Sequence, residues 1–112
     1  MIIDSHCHLN YEPMSQNLQE TITRANKDGV KYLLTISTED KSFNQILKII
    51  SKFKCVYGTY GIHPHEAKNY KKIDSKFIIN KIKMSKKIIG IGESGLDFYY
   101  NHSDKKDQMR CF

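Results

Sequence analysis

No CxxC pair occurs in the 112 residues, and the three cysteines, Cys7, Cys55 and Cys111, are odd in number and far apart. That spacing suggests neither a zinc finger nor a disulfide frame. No secretory leader is expected either, because Met1 runs straight into IIDSH with no basic region and no long apolar core. No stretch approaches the ~18 apolar residues of a membrane span. Internal repeats, low-complexity tracts and linkers are absent. These absences lead to the expectation of a single domain over residues 1–112, in a reducing cytoplasm and with no membrane partner.

Arginine is scarce. Two Arg stand against 16 Lys, and the net charge is +6. A basic chain favours polyanions such as nucleic acid. With 15 Ile beside the lysines, the same bias fits an AT-rich genome, so charge alone identifies no partner.

What is present is an alternation of short apolar runs with helical stripes. MIID, VKYLLTIS, CVYGTYGIH and KKIIGIGES read as four strands. The second is apolar enough to be buried on both faces. Between them lie three helical segments. Residues 15–28 carry Leu18, Ile22 and Ala25 on one face. Residues 37–53 carry Phe43, Ile46, Leu47 and Ile50, with Ser37 and Asp40 resembling a capping box. DSKFIINKIKMS has Asp74 or Ser75 as its N-cap. A polar, aromatic loop follows the fourth strand and is expected to open a helix near Asp104. The order β-α-β-α-β-α-β predicts an α/β fold with a parallel sheet. Four such units are half of a (β/α)8 barrel.

The chemistry gathers at strand ends. In IIDSHCHLN, His6 and His8 are two residues apart, so a strand turns both to one face, with Asp4 deeper on it. Two neutral imidazoles suit a divalent metal, but a tight site needs a third ligand. Glu93, at the end of KKIIGIGES, supplies it, because parallel α/β folds collect their sites at the C-terminal ends of strands. GIGESG also matches G-x-G-x-x-G, but no good helix follows and the required acidic residue is missing, so a dinucleotide site is rejected. Gly90 and Gly92 are expected to let that strand pack closely. In GIHPHEA, Pro64 presents His63 and His65 at the same edge, as metal ligands, proton carriers or phosphate contacts. His102 is expected to be plain surface. Tyr57, Tyr60, Phe98, Tyr99 and Tyr100 are expected to pack rather than to stack on bases.

IDSHCHLN, GIHPHEA and IGESGLDFYY together resemble, in order and spacing, the N-terminal motifs of the TatD family of metal-dependent deoxyribonucleases. The resemblance implies a TIM-like (β/α) barrel, of which residues 1–112 would form about the first four βα units, a half-barrel fragment. It implies divalent metal, Zn, Mn or Mg, as one or two ions, and hydrolysis of phosphodiester bonds in DNA, often from the 3′ end. His6, His8 and Glu93 look like metal ligands, with Glu93 bridging the ions. His63 looks like the active-site histidine outside the metal shell and, with His65, a substrate contact. Asn10 and Ser94 depart from the family pattern without touching a ligand. Family members run to more than twice this length, and their later strands add two His and an Asp. The chain is therefore expected to be an N-terminal half, left by a split gene, a frameshift or a truncation. It is expected to be a poor nuclease alone, and to self-associate or meet a complementing C-terminal half. A catalytically dead remnant that at most binds metal or nucleic acid is the alternative, and another His-x-His hydrolase the third.

Overall fold

Strands and helices alternate along residues 1–112, all of which the computed structural model describes. The strands are β1 (Ile2–Cys7), β2 (Val30–Thr35), β3 (Val56–Tyr60) and β4 (Ile88–Ile91). The helices are α1 (Leu18–Lys27), α2 (Asp40–Lys52), α3 (Ser75–Ile82) and α4 (Lys105–Cys111), with 3-10 turns at Met14–Asn17 and Pro64–Asn69. All neighbouring strands are parallel, in the order β1-β2-β3-β4, so β1 and β4 are edges. No helix is long and apolar enough to cross a membrane.

Local chemistry sets the helix starts. Asn17 accepts from the Glu20 N–H and starts α1, later than residue 15, because the preceding residues close a tighter 3-10 turn. Asp74, rather than Ser75, caps α3 by accepting from Phe77 N–H. The capping box of α2 is Glu39 with Ser42, not Ser37 with Asp40. Ser37 is buried instead, with its hydroxyl turned to the Gly61 and Glu39 carbonyls.

The core lies on one face of the sheet. Phe43, Ile46, Ile49 and Ile50 of α2 pack on Leu33, Val56, Tyr60 and Ile88 of the strands. The Tyr60 hydroxyl donates to Asp40 Oδ1 at 2.9 Å, and Lys81 Nζ of α3 meets the same oxygen at 2.8 Å. This knot ties α2, β3 and α3 together. Burial, with Asp40 beside it, raises the Tyr60 phenol well above its ordinary value, so it stays a donor.

Two expectations need correction, and the register of β4 adds a feature of its own. β2 is not buried on both faces, because Tyr32 on its other side is 44% exposed. Gly90 and Gly92 are not the tight glycines: a Cβ at Gly90 would make ordinary contact with Thr59, and one at Gly92 would meet nothing. The close approaches are at Gly58, under Ile46 of α2, and at Gly61, where a Cβ would overlap the backbone of Gly92 and Glu93. Finally, β4 slips in register. Ile88 pairs with Gly58, but Gly90 pairs with Thr59 and Ile91 with Tyr60. The alternation of β4 skips one residue there.

Candidate metal centre

Three imidazoles and one carboxylate meet at the C-terminal edge of the sheet. His6 is within β1, His8 just beyond it, and Glu93 two residues past β4. His6 Nε2 lies 3.8 Å and His8 Nε2 3.7 Å from Glu93 Oε2. His63, directly before the second 3-10 turn, sets its Nε2 3.6 Å from the other oxygen, Glu93 Oε1. Glu93 thus turns one oxygen to the His6–His8 pair and one to His63.

The last residues before α2 hold this arrangement. Three successive carbonyls after β2 each take a donor from a different part of the site. Ile36 accepts from His8 Nδ1 at 3.1 Å, Ser37 from the Glu93 N–H at 2.7 Å and Thr38 from the His63 N–H at 2.8 Å. Below them, Thr59 Oγ1 accepts from the Ser37 N–H and donates to the Gly92 carbonyl. β1, β3 and β4 are therefore registered at the site through the end of β2.

The donor set fits a divalent ion. A carbonyl only accepts, so Nδ1 of His8 carries the proton and Nε2 presents its lone pair to the Glu93 side. This is the tautomer a ligating histidine needs, fixed by a backbone partner. One donor atom from each of His6, His8 and Glu93 lies within 4.8 Å of the others. Ligands on a tetrahedral ion at ~2.1 Å stand about 3.4 Å apart, so the 3.7 and 3.8 Å contacts need to close by only a few tenths. Asp4 is not in this group; its Oδ1 accepts from the His6 N–H. Nor is Cys7, whose thiol donates to the Leu34 carbonyl and is pushed up by burial to about 12.

His63 and His65 play different parts. His63 Nδ1 accepts from the His65 N–H, which leaves the Nε2 proton facing Glu93. Burial lowers the His63 pKa from its ordinary value, and Glu93 opposes that shift. His65 Nε2 instead donates to Asp97 Oδ2 at 2.8 Å, and this bond holds the Asp97 carboxyl below the usual range. An open cavity of about 360 Å³ lies over the group, lined by His8, Tyr11, Thr38, His63, His65 and Glu93 among others. Tyr11 stacks on His8 with centroids 5.3 Å apart, and its hydroxyl bonds to Thr38 Oγ1 at 2.7 Å.

Tyr11, Thr38 and Asp97 were not foreseen. Asp97 lies inside the GLDFYY motif, which was the signal for it. Thr38 carries no signal, because its main role is a carbonyl. His102 is exposed but is not isolated surface, since its ring centroid is 4.4 Å from that of His65. The aromatic expectation holds for Tyr60, fully buried, and fails for Tyr99, which is 85% exposed.

A family model, that of TatD related DNase, matches residues 3–112. A protein of Buchnera aphidicola, named an uncharacterized metal-dependent hydrolase, is 37% identical over 114 residues, covering 99% of this chain and 42% of its own length. A protein of Citrobacter koseri, named 3′-5′ ssDNA/RNA exonuclease TatD, is 27% identical over 111 residues, covering 99% and 42%. The crystal structure of a TatD-family hydrolase from Entamoeba histolytica superposes with a TM-score of 0.82 at 23% identity, over 98% of this chain and 42% of that one. The chain thus spans less than half the length of these relatives, and its four βα units have the fold of a half-barrel.

Proposed function

The chain belongs to the family of TatD-related DNases, and on that premise we propose that it carries part of the metal centre of a hydrolase that cuts phosphodiester bonds in single-stranded nucleic acid. The observation that carries this reading is the meeting of His6, His8 and Glu93 through one carboxylate oxygen, with His63 on the other. The name of the Citrobacter relative supports the substrate class.

His6, His8 and Glu93 would hold a divalent cation, Zn, Mn or Mg. Bound there, it supplies a Lewis acid and a water of lowered pKa. The chain's own groups do the rest. Ile36 keeps His8 in the ligating tautomer, and Ser37 fixes the Glu93 backbone. His63 offers an Nε2–H toward the cavity, able to donate to a phosphoryl oxygen where negative charge develops. His65, on the cavity wall, contacts the substrate. Three buried or half-buried free cysteines fit a reducing cytoplasmic setting.

Calorimetric titration of the purified chain with Mn²⁺ tests the site. Binding is expected, and is expected to vanish in His8→Ala. Equal binding by the variant would remove the site. The second reading, a remnant that binds metal without cleaving, is favoured by the small ligand set, only three residues. Ligands that act as a unit lose orders of magnitude when some are missing. The chain alone is therefore expected to cut single-stranded DNA slowly at best, and a rate typical of a full-length family member would exclude the remnant.

A further inference from the structure

The segment after β4 is fixed more firmly than an exposed loop requires. Gln108 of α4, fully buried, donates through Nε2 to the carbonyls of Asp97 and Ser103 and accepts through Oε1 from the Asp97 N–H. Ser103 Oγ donates to the His65 carbonyl and accepts from the Lys68 N–H. Asp97 completes the frame: Oδ1 accepts from the N–H groups of Tyr99 and Tyr100, while Oδ2 holds His65.

This frame displays rings instead of burying them. The Tyr100 and His102 centroids are 5.8 Å apart and tilted by only 32°, and both rings flank His65, at 5.6 and 4.4 Å. Tyr99 stands edge-on to Tyr100 at 4.9 Å. Tyr100 is 53% exposed, so about half of it is left to solvent. A backbone held at Asp97, Tyr99, Tyr100 and Ser103 by these bonds, beneath aromatic rings left to solvent, describes a platform whose shape is settled before a ligand arrives. The platform is continuous with the cavity, because His65 belongs to both. Lys105 Nζ lies 5.1 Å over the neighbouring Phe98 ring and adds a cation at the same edge.

We propose that Tyr100 and His102 form a stacking shelf for an unpaired base of a single-stranded nucleic acid whose phosphate enters the adjoining cavity. The shelf rests on the reading of the cavity as a phosphodiester site. Only an unpaired base can lay its face on a side chain, so the shelf selects single strands over duplex. Stacking is tolerant of base identity, so the selection is by strandedness and not by sequence. Asp97 is a positioning residue: through His65 and the Tyr99 and Tyr100 N–H groups it sets the angle of the shelf against the cavity.

The test measures two affinities on the full chain. Mn²⁺ is titrated by calorimetry, and a fluorescein-labelled dT8 in the presence of Ca²⁺, which limits cleavage, by anisotropy. Tyr100→Ala is expected to weaken dT8 binding roughly 5- to 100-fold, with Mn²⁺ affinity unchanged. Tyr100→Phe keeps the ring and is expected to bind dT8 as the parent does, which a merely structural tyrosine hydroxyl would not allow. Asp97→Asn is expected to fall between the two. No measurable dT8 binding by the parent, equal binding by Tyr100→Ala, or equal affinity for a blunt duplex would each overturn the shelf. Failure of the Mn²⁺ arm strikes the metal centre alone and leaves the dT8 comparison readable.

Discussion

Phe43 and Tyr32 lie on opposite sides of one four-stranded sheet. Phe43 is fully buried, edge-on to Tyr60 at 4.8 Å, beneath a layer of helices. Tyr32 faces the side on which no helix packs. There it forms a shallow apolar patch with one residue from each other strand, Ile3, Tyr57 and Ile89. Both sides are apolar, but only one is covered. The covered side accounts for stability, whereas the bare side has the composition of a core and the exposure of a surface. In a closed barrel such a layer is filled by side chains from every strand.

The comparison breaks most sharply at Phe43. Phe43→Ala is expected to cost about 3–5 kcal/mol, from lost burial plus the cavity it leaves. Tyr32→Ala is expected to cost under about 1 kcal/mol, since half of that ring is already wet. Urea denaturation followed by circular dichroism reads both. Similar costs for the two would mean that the bare face is covered in solution.

That face was only partly legible. The parallel order, the apolar stripe of α2 and the meeting of His6, His8 and Glu93 follow from spacing, because strand and helix periods decide which side chains share a face. A half-barrel already implies an open inner face with Ile and Tyr from several strands on it; what VKYLLTIS hides is the share of β2 in that face, because such a run reads as buried on both sides whether or not anything covers it. The slip in β4 was hidden too: nothing in KKIIGIGES shows that pairing jumps from Ile88 to Gly90. Within the site, the carbonyls of Ile36, Ser37 and Thr38 were invisible, since every residue has a carbonyl and only tertiary placement gives these three their partners. Gly61 was illegible for a related reason. Its missing Cβ matters only because Gly92 and Glu93 pass across it.

The bare face also predicts association. Parallel edges at β1 and β4 leave unpaired N–H and C=O groups, and the Ile3–Tyr32–Tyr57–Ile89 patch lies between them. Size exclusion with light scattering is expected to give a mass above the 13.1 kDa of one chain. Tyr32→Ser with Ile89→Lys is expected to shift it toward 13.1 kDa with little change in unfolding midpoint. A parent chain that is monodisperse at one-chain mass would show that the patch is tolerated bare.

A stability effect smaller than that of Phe43→Ala sits where the two sides meet, at Lys87. Its Nζ donates to the carbonyls of Ile50 and Phe53 at 2.5 and 2.6 Å, where the last turn of α2 leaves acceptors without intrahelical donors. A cation there also opposes the negative end of the helix dipole. The same Nζ lies 5.3 Å over the ring of Tyr57, whose side chain belongs to the bare face. Lys87 therefore links the covered layer to the uncovered one. Burial lowers its pKa from the ordinary lysine value, so the bonds it makes are partly offset by the cost of drying the charge. Lys87→Met keeps the stem and removes both bonds, and a loss of about 1–2 kcal/mol at neutral pH is expected. The sign of the pH dependence is specific. A lowered lysine pKa means that the unfolded chain holds the extra proton just below pH ~10.5, so this group's contribution rises with pH there. Urea midpoints of parent and Met variant, compared from neutral pH upward, should diverge further in that range. A gap that narrows instead would mean that the ammonium is better solvated in the fold than its two carbonyl partners imply.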